Sequence, residues 1–239
     1  MYIQGFNKTS LLDYPGHLAA VIFTPGCNYR CPFCHNTDLV LSGITDGEYD
    51  EEYILSVLKK RRNILEGVCI TGGEPTLQPD LIVFIGRVRE LGLKVKLDSN
   101  GYRPDVLAEI VNNKLVDYIA MDIKNSPSKY ALTCGITNFH MESILRSIEI
   151  LKDSDMDYEF RTTIVKELHS KEDLLEAATL IKGCKRYFLQ SYIDSGHILE
   201  SGYSAYSADE LVALKEAVAT IIPNVALRGV DTERTNNDK

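Results

Sequence analysis

A chain of 239 residues, 44% hydrophobic and 25% charged, suits a single globular α/β domain with an ordinary core. The net charge of −8 argues against nucleic-acid binding by bulk electrostatics; the one basic run, Lys59-Lys60-Arg61-Arg62, reads as a solvated helix face. No stretch approaches the length of a membrane-spanning helix. The opening, MYIQGFNKTSLLDYPG, lacks the charged and then apolar regions of a signal peptide, so a cytoplasmic protein is expected.

Taken in chain order, strands and helices alternate. Ala19–Thr24 is a continuous apolar run stopped by Pro25-Gly26, the pattern of a strand buried on both faces. Residues 51–65 set Tyr53/Ile54, Val57/Leu58 and Ile64/Leu65 at helical spacing. A short strand over 68–71 is halted by Gly72-Gly73, and a helix over 79–91 carries Leu81, Ile82, Ile85, Val88 and Leu91 on one stripe. A strand over 93–98, a helix over Pro104–Asn112 and a strand over 116–123 follow. Met141–Lys152 predicts a helix with Ile144, Leu145, Ile148 and Leu151 inward. Then come a strand over 158–165, a helix over 171–181 and a strand over 187–190. Ser207, with Glu210 three residues on, is a capping box opening a helix toward Ile221, and 225–227 adds a last short strand. The polar end, 231–239, is expected to fray outside a single domain over 1–230.

This alternation implies parallel strands with right-handed crossovers. Periodicity alone leaves an open doubly wound sheet and a partial barrel equally available. In either, chemistry belongs at the C-terminal ends of the strands.

Cys27, Cys31 and Cys34 share the spacing C-x3-C-x2-C within eight residues of Thr-Pro-Gly-Cys-Asn-Tyr-Arg-Cys-Pro-Phe-Cys-His-Asn. Soft thiolates this close select zinc, copper(I) or iron–sulfur. Structural zinc would need a fourth ligand, and His35 follows Cys34 too directly to serve. Three thiolates leave a four-iron cluster with one open iron. Cys69, Cys134 and Cys184 are scattered and read as core residues; a disulfide framework is not expected in a chain of this kind.

The cysteine spacing, with Phe33 before the last cysteine, resembles the signature of the radical S-adenosylmethionine (SAM) enzymes. The resemblance implies a partial (β/α)6 barrel with parallel strands and a [4Fe-4S] cluster on Cys27, Cys31 and Cys34. The open iron would chelate the methionine end of SAM, and reductive cleavage would yield a 5′-deoxyadenosyl radical, with Phe33 near the adenine.

Four further segments fit the same cofactor. Gly72-Gly73-Glu74 resembles the family's GGE motif, in which Glu74 would meet the SAM amino group through a charge-assisted contact and the glycines would let backbone approach a ligand. Taken alone, the segment is also an ordinary turn. Asp98-Ser99-Asn100-Gly101 and Asp122-Ile123-Lys124 resemble the DTNG and DLK segments of glycyl-radical-enzyme activases such as the pyruvate formate-lyase activating enzyme. By that likeness Asp98 and Asp122 would hold a monovalent cation, Ser99 and Asn100 would line the SAM site, and Lys124 would offset charge or contact SAM. Without it, Asn100-Gly101 is a plain turn and Asp122 with Lys124 a surface ion pair. Arg161, within a strand, needs a partner; the resemblance places it by the SAM carboxylate or ribose, and Gln190-Ser191-Tyr192 near the adenine.

Residues 5–16, Cys34-His35-Asn36 and Leu227-Arg228-Gly229-Val230-Asp231 are similar to the longer form of the activating proteins of anaerobic ribonucleoside-triphosphate reductase. The resemblance implies a radical SAM oxidoreductase that generates a glycyl radical on a partner enzyme, with a flavodoxin or ferredoxin as electron donor. A radical SAM enzyme acting on a small molecule or peptide, an activase of pyruvate formate-lyase, and a zinc-binding module are the alternatives.

Overall fold

The computed structural model describes residues 1–194 and 196–230, so the polar end at 231–239 lies outside the described residues. The elements are β1 (Gly5–Ser10), β2 (Ala19–Thr24), α1 (Thr37–Leu41), α2 (Glu51–Arg61), β3 (Gly67–Gly72), α3 (Leu81–Glu90), β4 (Lys94–Ser99), α4 (Pro104–Asn112), β5 (Tyr118–Asp122), α5 (Tyr130–Cys134), α6 (Met141–Lys152), β6 (Asp157–Ile164), α7 (Lys171–Leu180), β7 (Tyr187–Ser191), α8 (Ala208–Ala219) and β8 (Val225–Arg228), with one 3₁₀ turn at Pro75–Leu77. They fall into two compact units.

The first unit comprises Met1–Arg30, Asn36–Met121 and Glu142–Tyr158. In it β2 pairs in parallel with β3, β3 with β4 and β4 with β5. The apolar runs of β2 and β3 each bury their first four residues in succession, as strands covered on both faces do. β1 pairs antiparallel with β2, with a register shift between Asn7 and Ser10. This strand had no periodic signal: its residues are half-buried or exposed, as an edge strand tolerates.

The helices differ from expectation in which residues they bury. α2 stops at Arg61 and buries Ile54, Leu55 and Leu58, with the Asp50 side chain capping the Tyr53 N–H, while Tyr53 and Ile64 are exposed. α3 buries Phe84 beside Leu81, Ile85 and Val88. α6 buries Ser147 where Leu145 was expected inward; the Ser147 hydroxyl donates to the Gly101 carbonyl at 2.6 Å, which satisfies a polar group in the core.

The second unit comprises Cys31–His35, Asp122–Met141 and the chain from Glu159 onward. β6, β7 and β8 pair in parallel, in chain order. α7 and α8 both open with a complete capping box, Ser170 with Asp173 and Ser207 with Glu210, the second as the sequence predicts.

Candidate active site

All three signature cysteines lie on the loop between β2 and α1, immediately after the C-terminal end of β2. In the first unit this loop is tied to the end of β3. The Gly73 N–H donates to the Thr24 carbonyl at 2.9 Å and the Glu74 N–H to the Gly26 carbonyl at 2.8 Å. Glycine is required at both positions of the pair. Gly72 has φ +121, and a Cβ there would lie 2.3 Å from the Thr24 nitrogen; a Cβ on Gly73 would lie 1.9 Å from the Gly26 carbonyl oxygen. Because the opposing atoms are backbone, nothing flexible can yield. Gly73→Ala is therefore expected to cost at least the roughly 1–3 kcal/mol of an overpacked site and to displace the start of the cysteine loop. A lower melting temperature together with reduced iron uptake on reconstitution would show this; a variant that melts and loads iron like wild type would contradict it.

Glu74 is 1% exposed and tightly held. Its Oε1 accepts from the Thr76 N–H at 3.1 Å, the Thr76 hydroxyl at 2.5 Å and the Ser99 hydroxyl at 2.9 Å, while Oε2 accepts the Asn100 N–H at 2.7 Å. Burial pushes its pKa up against these donors. Oε2 retains a second lone pair for a further donor. Asn100 reaches the other way: its Nδ2 donates to Asn28 Oδ1 at 2.8 Å and lies 3.9 Å from Cys27 Sγ. Glu74, Ser99, Asn100 and Cys27 are thus joined in one hydrogen-bonded group. Asn28 and Thr76 belong to this group and carry no motif signal of their own. Asn36 Nδ2 adds a bond to the Gly72 carbonyl at 3.3 Å.

Asp98, on β4, is ion-paired with Lys96. Lys96 is 2% exposed, and its ammonium also lies 3.6 Å from Cys69 Sγ.

In the second unit Cys31 is buried, and the Cys34 N–H donates to its carbonyl at 3.0 Å. A hydrogen bond from Cys134 outweighs burial and, aided by Lys124, holds the Cys31 thiol below its ordinary range. Phe33 is buried and stands edge-on to His169 and Tyr192, each at 6.5 Å between centroids, while His35 stacks on Tyr192 at 5.7 Å. Asp122 closes β5 between two cations: Lys124 Nζ donates to Oδ2 at 2.8 Å and Arg161 Nε to Oδ1 at 3.0 Å. Burial opposes its ionisation, but Arg161 and Lys124 prevail and hold its pKa at about 2. The partner that a charged residue inside β6 requires is therefore Asp122.

These residues suit an iron–sulfur cluster. The thiolate is the metal ligand; the groups just named favour it at Cys31, and Cys27 Sγ accepts the Tyr29 N–H at 3.4 Å. Asn28 Nδ2, beside Cys27, is buried with no hydrogen-bond partner, a donor to spare where cluster sulfurs accept. Among the described residues no three His, Cys, Asp or Glu side chains are gathered as a site for a single metal ion. A cubane takes its thiolates at separate irons and does not need one point of convergence.

Comparison with known proteins agrees. The family model of the radical SAM superfamily matches residues 21–181. A protein of Methanocaldococcus jannaschii, named as a glycyl-radical enzyme activating enzyme, is 35% identical over 199 residues, covering 80% of this chain and 79% of its own. The pyruvate formate-lyase-activating enzyme of Clostridium pasteurianum is 28% identical over 190 residues, covering 77% of each chain. The crystal structure of Streptococcus suis SuiB bound to S-adenosylmethionine superposes with a TM-score of 0.69 at 19% identity, over 88% of this chain. That likeness shows the fold, and this chain spans about 50% of SuiB. The α/β architecture with its parallel strands is therefore the radical SAM fold, and the cofactors are a [4Fe-4S] cluster and SAM. The chain is an enzyme of the radical SAM superfamily, in the branch that holds proteins named as glycyl-radical enzyme activating enzymes.

Proposed function

We propose that this chain is a glycyl-radical-enzyme activase and that its partner is an anaerobic ribonucleoside-triphosphate reductase. The observation that carries the first part is the 35% identity with the M. jannaschii protein over 80% of the chain; the second rests on the similarity of residues 5–16, Cys34-His35-Asn36 and residues 227–231 to the activating proteins of that reductase. When bound, SAM and the cluster supply the radical that takes hydrogen from a glycine Cα of the partner.

The chain's own residues have these roles. Cys27, Cys31 and Cys34 hold the cluster. Glu74 Oε2 accepts the SAM ammonium, with Gly72 and Gly73 letting backbone approach and Ser99 and Asn100 holding Glu74 in place. Phe33 borders the adenine. Asp122, Lys124 and Arg161 form a group of one carboxylate and two cations, whose surplus positive charge faces the SAM carboxylate or ribose. Leu11 and Leu12, 75% and 92% exposed at the turn after β1, give the N-terminal segment an apolar tip of the kind that meets a partner protein. A flavodoxin or ferredoxin supplies the electron, and the location is the cytoplasm; among the described residues no helix is long and apolar enough to cross a membrane. We keep residues 1–230 as one functional domain, since the family match at 21–181 runs through segments of both units.

Pyruvate formate-lyase is the second candidate partner, favoured by the 28% identity with the C. pasteurianum enzyme. Reduced protein, SAM and each candidate partner should be mixed under anoxic conditions. The reductase is expected to acquire a doublet paramagnetic signal that vanishes when its radical glycine is replaced by alanine. A doublet on pyruvate formate-lyase alone would reassign the partner. If both stay radical-free while a small molecule drives stoichiometric SAM cleavage, the activase reading is wrong.

A further inference from the structure

Asp98 and Asp122 each have a cationic partner from the chain itself. The pairing at Asp98 is the less expected, because its cation comes from a buried strand position. Side chains alternate along a strand, so Lys94, Lys96 and Asp98 share one face of β4. Lys94 is exposed, at the strand's start, whereas Lys96 is buried. Its ammonium donates to Asp98 Oδ1 and stands 3.6 Å from the buried Cys69 thiol. The Lys96 and Asp98 side chains are only 3% and 15% exposed. A buried ammonium is held at a desolvation cost and persists where a fixed positive charge is compensated.

We propose that Lys96 is a positioning residue, a built-in monovalent cation for Asp98, and that it makes SAM binding by this protein independent of added sodium or potassium. An ammonium has the charge of a potassium ion and is close to its size, and like charges this near one carboxylate repel. With Lys96 in place, a metal ion at Asp98 would be both redundant and disfavoured. The proposal rests on the resemblance of Asp98-Ser99-Asn100-Gly101 to the activases' DTNG segment, by which Asp98 would hold a monovalent cation beside SAM.

The test uses the reconstituted protein. The SAM dissociation constant is taken from the SAM-induced change in the paramagnetic spectrum of the reduced cluster, in tetramethylammonium buffer and then with potassium or sodium chloride. Wild type should hold its affinity within about twofold across these buffers. Lys96→Met should bind SAM about tenfold more weakly in tetramethylammonium and recover most of that loss with potassium or sodium. Its melting temperature, measured without SAM, should be lower than wild type and rise with the same ions. A merely structural ion pair would give weakening that no cation rescues, and that result overturns the proposal. So does a wild type whose SAM affinity climbs several-fold with potassium, or a Lys96→Met variant that binds SAM normally without a small cation. Asp98→Asn separates the two layers. Wild-type SAM affinity in that variant removes Asp98 from the SAM site; weakened affinity there, with Lys96→Met unaffected, overturns the role of Lys96 alone. Should Lys96→Met fail to fold, Lys96→Met/Asp98→Asn carries neither charge, and the wild-type cation titration still decides.

Discussion

Alanine at Cys27, Cys31 or Cys34 is expected to take the anaerobically reconstituted protein from about four irons per chain to near none and to abolish SAM cleavage. The three positions are not equivalent in the folded chain. Cys27 Sγ is met by the Tyr29 N–H and lies near the Asn100 amide, whereas Cys31 is buried and hydrogen-bonded to the Cys134 thiol. A three-thiolate cubane tolerates the loss of none, since each holds its own iron. Cys134→Ala is the sharpest control. It removes a buried thiol that touches Cys31, and it should leave iron content near wild type, as should Cys69→Ala and Cys184→Ala. Iron and sulfide analysis, with the visible absorption of the brown protein, reads all six variants. Full iron in any signature variant, or stoichiometric zinc without iron in anoxically prepared wild type, would contradict the assignment.

The second large effect belongs to Glu74. Its carboxylate satisfies four donors from Thr76, Ser99 and Asn100. Glu74→Ala would strand them in the interior at about 1–3 kcal/mol for each one left unsatisfied, so that variant confounds folding with binding. Glu74→Gln keeps the volume and removes the charge. A hydrogen bond to an ionised group is worth roughly 1.5–3 kcal/mol, so the variant should bind SAM at least about tenfold more weakly with iron content unchanged. The pH dependence has a definite sign. Burial raises the Glu74 pKa, and an ammonium contact needs the carboxylate ionised. Wild-type SAM affinity should therefore fall as pH is lowered toward that raised pKa, and the glutamine variant should lose this component. If Glu74→Gln binds SAM as wild type does at every pH, Glu74 only holds the loop ends together.

What was legible in the chain was what local pattern encodes. The apolar runs of β2 and β3, the Pro104 start of α4 and the Ser207–Glu210 box were all readable, because each is a short-range physical rule. The strand β1 was not, since an exposed edge with a register shift carries neither a buried run nor alternation. α2 was read four residues too long because Ile64 and Leu65 continue the helical spacing past its end at Arg61, although Leu65 is buried and Ile64 is exposed. At the site, spacing singled out the cysteines and family resemblance singled out Glu74, but the bonds that position them cross tens of residues. The Ser99 and Asn100 donors reach Glu74 over separations of 25 and 26 positions, and Arg161 reaches Asp122 over 39. Lys96 is the instructive miss: period-two spacing puts it on the same face as Asp98, yet nothing local says that this face is buried.

The most direct test of the activase reading follows the hydrogen. The partner reductase is prepared with α-dideuterated glycine and mixed with reduced activase and unlabelled SAM, and the 5′-deoxyadenosine is analysed by mass spectrometry. The reading predicts one deuterium in each 5′-deoxyadenosine formed in step with the glycyl doublet. Unlabelled 5′-deoxyadenosine from a reaction that consumes SAM stoichiometrically would show that the hydrogen comes from elsewhere and would contradict it.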